Sequence, residues 1–248
     1  MKVLNGTDRI AICKCGCTME YDESDIIAAV VCPNCLDVVP TNSEVVIPTG
    51  DNLDKYSWEE ISKMRTKRLA LGATKTLTLK NGDTYTLWVV NRTDGLVLGF
   101  KDLYGTDEKG GKALNEGNGD CTYKDSTLRK WLNNDFYDLL PDDFKAVLAT
   151  ASVQSGGEIL SDKVFIPSET EYRGEVVCGE CKEGEQFELY KDWHNRIAGY
   201  PDGDYGRWHW NRTKASAHCF CDCNGNGVAT YNGATNTHGV RPHFLIKK

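Results

Sequence analysis

Five cysteines fall within the first 35 residues, as Cys13-Lys-Cys15-Gly-Cys17 and, fourteen residues later, Cys32-Pro-Asn-Cys35. A segment of about forty residues buries too little apolar surface to hold a fold by packing alone. Clustered thiolates remove that difficulty. Tetrahedral zinc takes four Cys or His ligands from two short turns and converts metal affinity into folding energy. The spacing predicts a zinc ribbon over 1–40, with structural Zn2+ held by Cys13, Cys15, Cys32 and Cys35. The first knuckle is one residue short of the usual C-x-x-C-G, so Cys17 is an alternative ligand, paired with Cys15. Four thiolates close the coordination sphere and leave no position for a reactive water. The run TMEYDESDIIAAVV between the clusters reads as a short hairpin. PTNSEVVIPTGDNLD is polar and carries two prolines, so a linker is expected over 41–54 and one larger domain over 55–248.

Eleven cysteines in a chain whose first residues show no apolar signal core point to synthesis in the reducing cytoplasm, where clustered Cys are metal ligands before they are disulfides. No run of 18 or more apolar residues occurs, so no membrane insertion is expected. The net charge of −7 argues against broad binding of nucleic acid.

Along the larger domain, Ser57 with Glu60 forms a capping-box signature ahead of Trp58, Ile61, Met64 and Leu69, which stand close to helical spacing. TKTLTLKNGDTYTLWVVN alternates on both sides of Asn81-Gly82 and predicts a hairpin with a two-residue turn. GLVLGF is a further strand. KDSTLRKWLNNDFYDLL places Leu128, Trp131, Leu132, Phe136 and Leu139 on one helical stripe, and PDDFKAVLA follows as a second helix. DKVFIPSETEY predicts a strand and then a helix starting at Ser168. After Trp193 the chain breaks into short strands and loops. The class is α+β.

Cys178-Gly-Glu-Cys181 and Cys219-x-Cys221-x-Cys223 could form a second metal or thiol site. On a strand over 217–223, however, Ala217, Cys219, Cys221 and Cys223 share one face as small core residues. The five histidines show no ligand spacing, and no phosphate loop, nucleophile elbow or dinucleotide fingerprint occurs.

From Ala215 to Ile246 the chain contains no Lys, Glu, Gln, Met or Trp, although these types make up 45 of the 248 residues. Composition alone predicts about six of them in that stretch. The segment alternates, with Ser216, His218, Phe220, Asp222 and Asn224 expected to point outward, and it turns at Asn224–Gly227, Asn232-Gly233 and Asn236–Gly239. Exposed His, Phe, Asp, Asn, Tyr and Thr are the mixture of a recognition surface.

The ordered set TYKDSTLRKWLNNDFYDLLPDDF, DKVFIPSETEY, WHWNRTKAS, NGNG and GVRPHF, over roughly 55–248, resembles a family of phage and bacterial domains. Those domains carry an S-x-L-R-x-W-L-N helix, a W-x-R-[ST] strand and a terminal G-V-R-P. The family looks related to the C-type-lectin-like fold of formylglycine-generating enzymes and of the variable proteins of diversity-generating retroelements. In such variable proteins, adenine-directed mutagenesis rewrites Asn codons into many residue types but never into Lys, Glu, Gln, Met or Trp. The resemblance implies a variable-type segment over 211–238. It implies scaffold roles for Trp210, Arg212, Gly239, Val240, Arg241 and Pro242, with Trp208 packed beside Trp210. The implied ligand face is Asn211, Lys214, His218, Phe220, Asp222, Asn224, Tyr231, Asn232, Asn236 and His238. Lys214 lies outside the reachable residue types, so a variable stretch starts after it or skips it. The sugar-binding triplets E-P-N and W-N-D are absent, and the oxidase cysteines of the formylglycine-generating enzymes have no clear counterpart.

The resulting expectation is a binding protein rather than an enzyme, recognising a protein or glycan receptor on a cell surface, with virion association and oligomerisation in keeping with that role. The alternatives are a metal- or thiol-dependent enzyme on the second cysteine clusters, and an intracellular adaptor that binds through its ribbon.

Overall fold

The computed structural model describes residues 52–64, 66, 69–106, 110–117, 119–203 and 206–247, and the backbone of five short strands ahead of them. The chain divides into two compact units, Met1–Asp51 with Met64–Ala70, and Asn52–Lys63 with Leu71–Lys248. In the first unit β1 (Arg9–Ile12) pairs antiparallel with β2 (Thr18–Tyr21) and with β5 (Val45–Val46), while β3 (Ala29–Val31) pairs with β4 (Val38–Pro40). The expected hairpin between the cysteine clusters is thereby corrected. β2 and β3 do not pair with each other; β2 meets β1 and β3 meets β4. Cys13, Cys15, Cys17, Cys32 and Cys35, and most of the linker over 41–54, lie outside the described residues.

The second unit is mixed α plus β. β6 (Thr74–Thr78), β7 (Thr84–Asn91), β8 (Leu96–Phe100) and β16 (His243–Ile246) form an antiparallel sheet in the order β16-β8-β7-β6, so the last strand is stitched beside one of the first. Every residue of β8 is buried, as expected of an inner strand covered on both faces. The β6–β7 turn differs from the two-residue form. Gly82 N–H donates to Leu79 C=O (2.9 Å), and Leu79 N–H donates to Asp83 C=O (2.8 Å). Three residues therefore form the loop, with Gly82 at φ 93°, a conformation that a side chain would strain.

Helices cover the sheet with one shared aromatic cluster. α1 (Trp58–Lys63) starts at the Ser57–Glu60 capping box and stops at Lys63, short of the expected Met64 and Leu69 turns, where the chain leaves the unit. α2 (Thr127–Trp131) is capped by Ser126 and runs through a π turn, Leu132–Phe136, into α3 (Tyr137–Leu139). The π turn has a visible cause. Asn133 and Asn134 side-chain amides donate to the carbonyls of Arg129 and Lys130, four residues back, and compete with the helical ladder there. The stripe foreseen on this helix is buried at Leu128, Leu132 and Phe136. Phe136 meets Phe100 (5.9 Å) from β8, Phe100 meets Phe244 (6.0 Å) from β16, and Phe244 meets Phe144 (5.1 Å) from α4 (Asp142–Val147). Trp58 closes the set against Phe144 at 4.4 Å. Among the described residues no helix is long and apolar enough to cross a membrane.

The last third is a meander of β12 (His209–Ser216), β13 (Cys219–Cys223) and β14 (Ala229–Gly233), while β15 (Thr237–His238) pairs with β9 (Lys112–Ala113). It is fastened to the rest through Arg212. This side chain is fully buried and makes a two-pronged ion pair with Glu171 on α5 (Glu169–Arg173), both bonds 2.6 Å. It also donates to Gln154 C=O on β10 (Ala151–Ser155), which forms a hairpin with β11 (Glu158–Asp162), and to Ile166 C=O, each at 2.8 Å. Removing one partner leaves a buried charge uncompensated. Arg212→Met or Glu171→Gln is expected to cost about 3–5 kcal/mol in urea unfolding, with part of that recovered in the double variant Arg212→Met/Glu171→Leu.

Candidate ligand surface on the C-terminal strands

The pairing register assigns the faces of the meander. Trp210, Phe220, Asp222, Thr230 and Asn232 lie on one side, and His209, Cys221, Cys223, Ala229 and Tyr231 on the other. β13 is the middle strand and both its faces are covered. Phe220 and Asp222, expected to point outward, are fully buried, and so is Asn211 on β12. These three positions are corrected from ligand contacts to interior residues. The strand alternates as foreseen, but the side taken for solvent is packed as well. Asp222 accepts from the Thr230 hydroxyl and from Asn232 Nδ2 (2.7 Å), and its Oδ2 lies 3.6 Å from His238 Nε2. Neighbouring strands thus converge on one buried carboxylate.

Above that carboxylate the surface is concave. Trp208, His238, Tyr200, Arg207, Thr237 and the backbone of Gly111 and Gly239 line a cavity of about 510 Å³. The Trp208 indole is 43% exposed and stacks on His238 at 5.7 Å with 26° between planes. Beneath them Trp210 is fully buried, meets the His238 ring at 4.5 Å and donates Nε1–H to Lys112 C=O at 2.8 Å. Burial pulls the His238 pKa below its ordinary value, and Asp222 opposes that pull only in part. At neutral pH the floor is a neutral imidazole beside a carboxylate under an indole shelf. Planar apolar area with a few convergent polar atoms is the composition of small-ligand and loop-recognition sites. Trp208 was expected to pack beside Trp210, and the structure corrects this. The W-x-W spacing does set both indoles on one side of the chain, and only the inner one is covered. Tyr200 and Arg207 gave no signal in the sequence.

The other expected contacts are dispersed. Asn232 and Asn236 adjoin the Asp222–His238 pair, with Asn236 Nδ2 donating to Asn232 Oδ1 at 3.2 Å. His218 is exposed in the turn before β13. Lys214 is half-buried, its Nζ 3.9 Å from Asp120 Oδ1. Asn224 spends its Oδ1 on the N–H groups of Asn226 (2.9 Å) and Val228 (3.0 Å), holding the turn. Tyr231 is exposed but faces the opposite side of the sheet from His238.

The residues assigned to scaffold are all buried: Trp210, Arg212, Gly239, Val240, Arg241 and Pro242. Arg241 donates to the backbone carbonyls of Phe100 (2.7 Å), Asn195 (3.0 Å) and Lys101 (3.0 Å), and its guanidinium lies over Trp88 and Tyr190. Gly239 serves by close approach. A Cβ there would stand 2.3 Å from Leu103 Cδ1 and 3.1 Å from Trp208 C=O.

The second cysteine clusters carry pKa shifts in the direction that suppresses thiolate. Burial, then Glu169, raises Cys178; burial, then Glu183, raises Cys181. Burial pushes Cys221 far up and Cys223 up to about 11. An activated nucleophile requires the opposite shift. Among the described residues no group of three or more His, Cys, Asp or Glu is placed to hold a metal ion.

A mixed α-plus-β domain with a deeply buried polar scaffold and an indole-walled pocket on its last strands is thus the class that fold and site define. The chain belongs to the family described as a domain of unknown function (DUF6273), whose model matches residues 88–248. No curated protein and no solved structure matches the chain.

Two buried histidines, His209 on β12 and His243 on β16, make stability depend on pH. His209 Nδ1–H donates to Arg207 C=O (3.3 Å), and burial, then Arg241, lowers its pKa to about 3. His243 donates Nδ1–H to Arg241 C=O (2.9 Å), so its Nε2 accepts from the Tyr190 hydroxyl at 2.7 Å; its pKa is also driven well down, by burial first. The unfolded chain binds protons on these rings that the folded one refuses. Their contribution is whole above the ordinary value of 6.5 and is lost as pH falls toward the folded value. For His209 the loss between pH 7 and 5 is about 2 kcal/mol. Urea midpoints across that range should fall accordingly, and His209→Asn should flatten the slope.

Proposed function

We propose that the protein is a ligand-binding protein of the C-type-lectin-like, variable-segment kind, preceded by a zinc ribbon, whose C-terminal strands recognise a protein or glycan receptor on a cell surface. The observation that carries this reading is the division of residues 208–242. Trp210, Arg212 and Arg241 are spent on buried contacts, while Trp208, His218, Asn236 and His238 are left at the surface or around one pocket. The restricted alphabet of residues 215–246 supports the same reading, because it is what adenine-directed rewriting of Asn codons leaves behind. A rigid scaffold lets surface side chains change without unfolding, and aromatic and short polar groups bind at modest entropic cost. In the first unit the two cysteine clusters fall in sequence between β1 and β2 and between β3 and β4, where the knuckles of a ribbon stand. The pushed-up thiols of the second clusters make thiol catalysis the poorer reading. Sequencing the 3′ end of the gene across its source population tests the proposal. Adenine-derived substitutions crowded at exposed codons such as 218, 235 and 236, sparing Asn211, Phe220, Asp222 and 239–242, are expected. An invariant 3′ end would contradict a diversified surface.

A further inference from the structure

Away from the last strands, the end of β7, the outer edge of β10 and the segment 184–187 enclose a cavity of about 710 Å³, which shares no lining residue with the Trp208–His238 pocket. Its volume falls in the roughly 300–1,000 Å³ of small-ligand sites. Val97, Val153, Phe165 and Phe187, all buried, give it an apolar floor. Over that floor the walls hold polar groups that the fold leaves unused. Asn91, the last residue of β7, is 6% exposed. Its Oδ1 accepts the Glu188 N–H at 3.2 Å, which settles which way round the amide stands. Its Nδ2 donates to no group among the described residues. A buried donor is costly to leave unmade, so an acceptor inside the cavity is favoured.

β10 supplies a second set. Its hairpin with β11 turns through Gly156 (φ 59°) and Gly157 (φ 81°), so the ladder bonds fall at Ser155, Val153 and Ala151. Ser152 and Gln154 turn their backbone groups the other way. Gln154 is occupied: its C=O accepts from Arg212 Nε and its Oε1 from Gly184 N–H, both at 2.8 Å, which closes that end of the cavity. Ser152 N–H and C=O have no partner among the described residues. The charges narrow the ligand further. Asp94, Glu171, Glu185 and Lys191 line the cavity. Arg212 holds Glu171 and Lys182 holds Glu185, so Asp94 and Lys191 are left without an ion partner among the described residues. A phosphate would meet more negative charge than positive here. A ligand with one ammonium and one carboxylate is matched.

We propose that this cavity binds a short peptide with both termini free and an apolar side chain. A peptide group carries one donor and one acceptor, which Ser152 C=O and N–H answer from one strand residue, as when a chain adds to a sheet edge. A further peptide carbonyl accepts from Asn91 Nδ2. The terminal ammonium meets Asp94, the carboxylate meets Lys191, and the apolar side chain covers Phe165 and Phe187. The edge of β10 supplies affinity for any extended chain, and the two rim charges restrict it to a chain short enough to end within the cavity. The inference does not depend on what the Trp208–His238 pocket binds.

Titration calorimetry of the full chain with the tripeptides Ala-Leu-Ala and Ala-Phe-Ala tests this, with dissociation constants on the order of 100 µM expected. Acetylating the amine and amidating the carboxylate of the same peptides should weaken binding about tenfold or more. Asp94→Asn and Lys191→Gln, both at exposed positions, should each weaken it about threefold or more, with unchanged circular dichroism. Asn91→Asp keeps an acceptor for the Glu188 N–H and removes the donor, so it should weaken binding about tenfold, while Trp208→Ala leaves it unchanged. No binding of either free tripeptide at about 5 mM would overturn the proposal. So would capped peptides that bind as tightly as free ones, or binding indifferent to Asp94→Asn and Lys191→Gln.

Discussion

The Arg212–Glu171 pair is the contact on which the C-terminal third depends. Two opposite charges held away from water cost several kcal/mol each unless every lone pair and proton finds a partner. Here the partners come from distant parts of the chain. Arg212 reaches Gln154 and Ile166 carbonyls as well as the carboxylate, and Glu171 Oε2 also accepts Ser168 N–H in the capping box of α5. Next to it Thr213 donates to Glu183, whose second oxygen accepts Gly156 N–H, and Glu169 gathers the N–H groups of Val177, Cys178 and Gly179. A network like this is satisfied in one register of β12 and in no other, because a one-residue slip would turn Arg212 to the opposite face.

That constraint explains how chemistry is distributed over the last strands. Side chains on the scaffold side are buried, and Trp210, Arg212, Asp222 and Arg241 each make hydrogen bonds there. Asp222 is the extreme case, with Thr230 and Asn232 bonded to it and His238 leaning in from the pocket. Outside this ring the residues are Trp208, Tyr231, His218 and Asn236, all exposed, with Trp208 stacked on His238. Buried and exposed positions thus lie close together in sequence, the buried ones on the strands and most of the exposed ones at their ends and turns.

Much of the architecture was legible in the sequence because it follows from short-range chemistry. The capping box at Ser57, the helix start at Ser168, the apolar stripe of Leu128, Leu132 and Phe136, and the alternation of the β6–β7 hairpin are all local rules that tertiary packing did not override. The errors have separate causes. Alternation reports that a strand has two faces, and it does not report how many faces are covered, so Phe220 and Asp222 looked like surface residues on a strand packed on both sides. Trp208, which the resemblance set beside Trp210 in the scaffold, is instead 43% exposed, because Trp210 already fills the space beneath. Tyr200 and Arg207 meet the pocket only through the tertiary fold, and no spacing announces them. The three-residue turn at Gly82 and the π turn at Asn133 depend on hydrogen bonds that composition does not rank.

The central claim is that a fixed polar scaffold carries a surface free to change. A displayed library of the full chain, randomised at His218, Thr235 and Asn236 in one arm and at Asn211, Phe220 and Asp222 in the other, tests it by resistance to protease. The account predicts that most variants in the first arm stay within about 0.5 kcal/mol of the parent and that most in the second lose more than about 2 kcal/mol. Equal losses in both arms would contradict it.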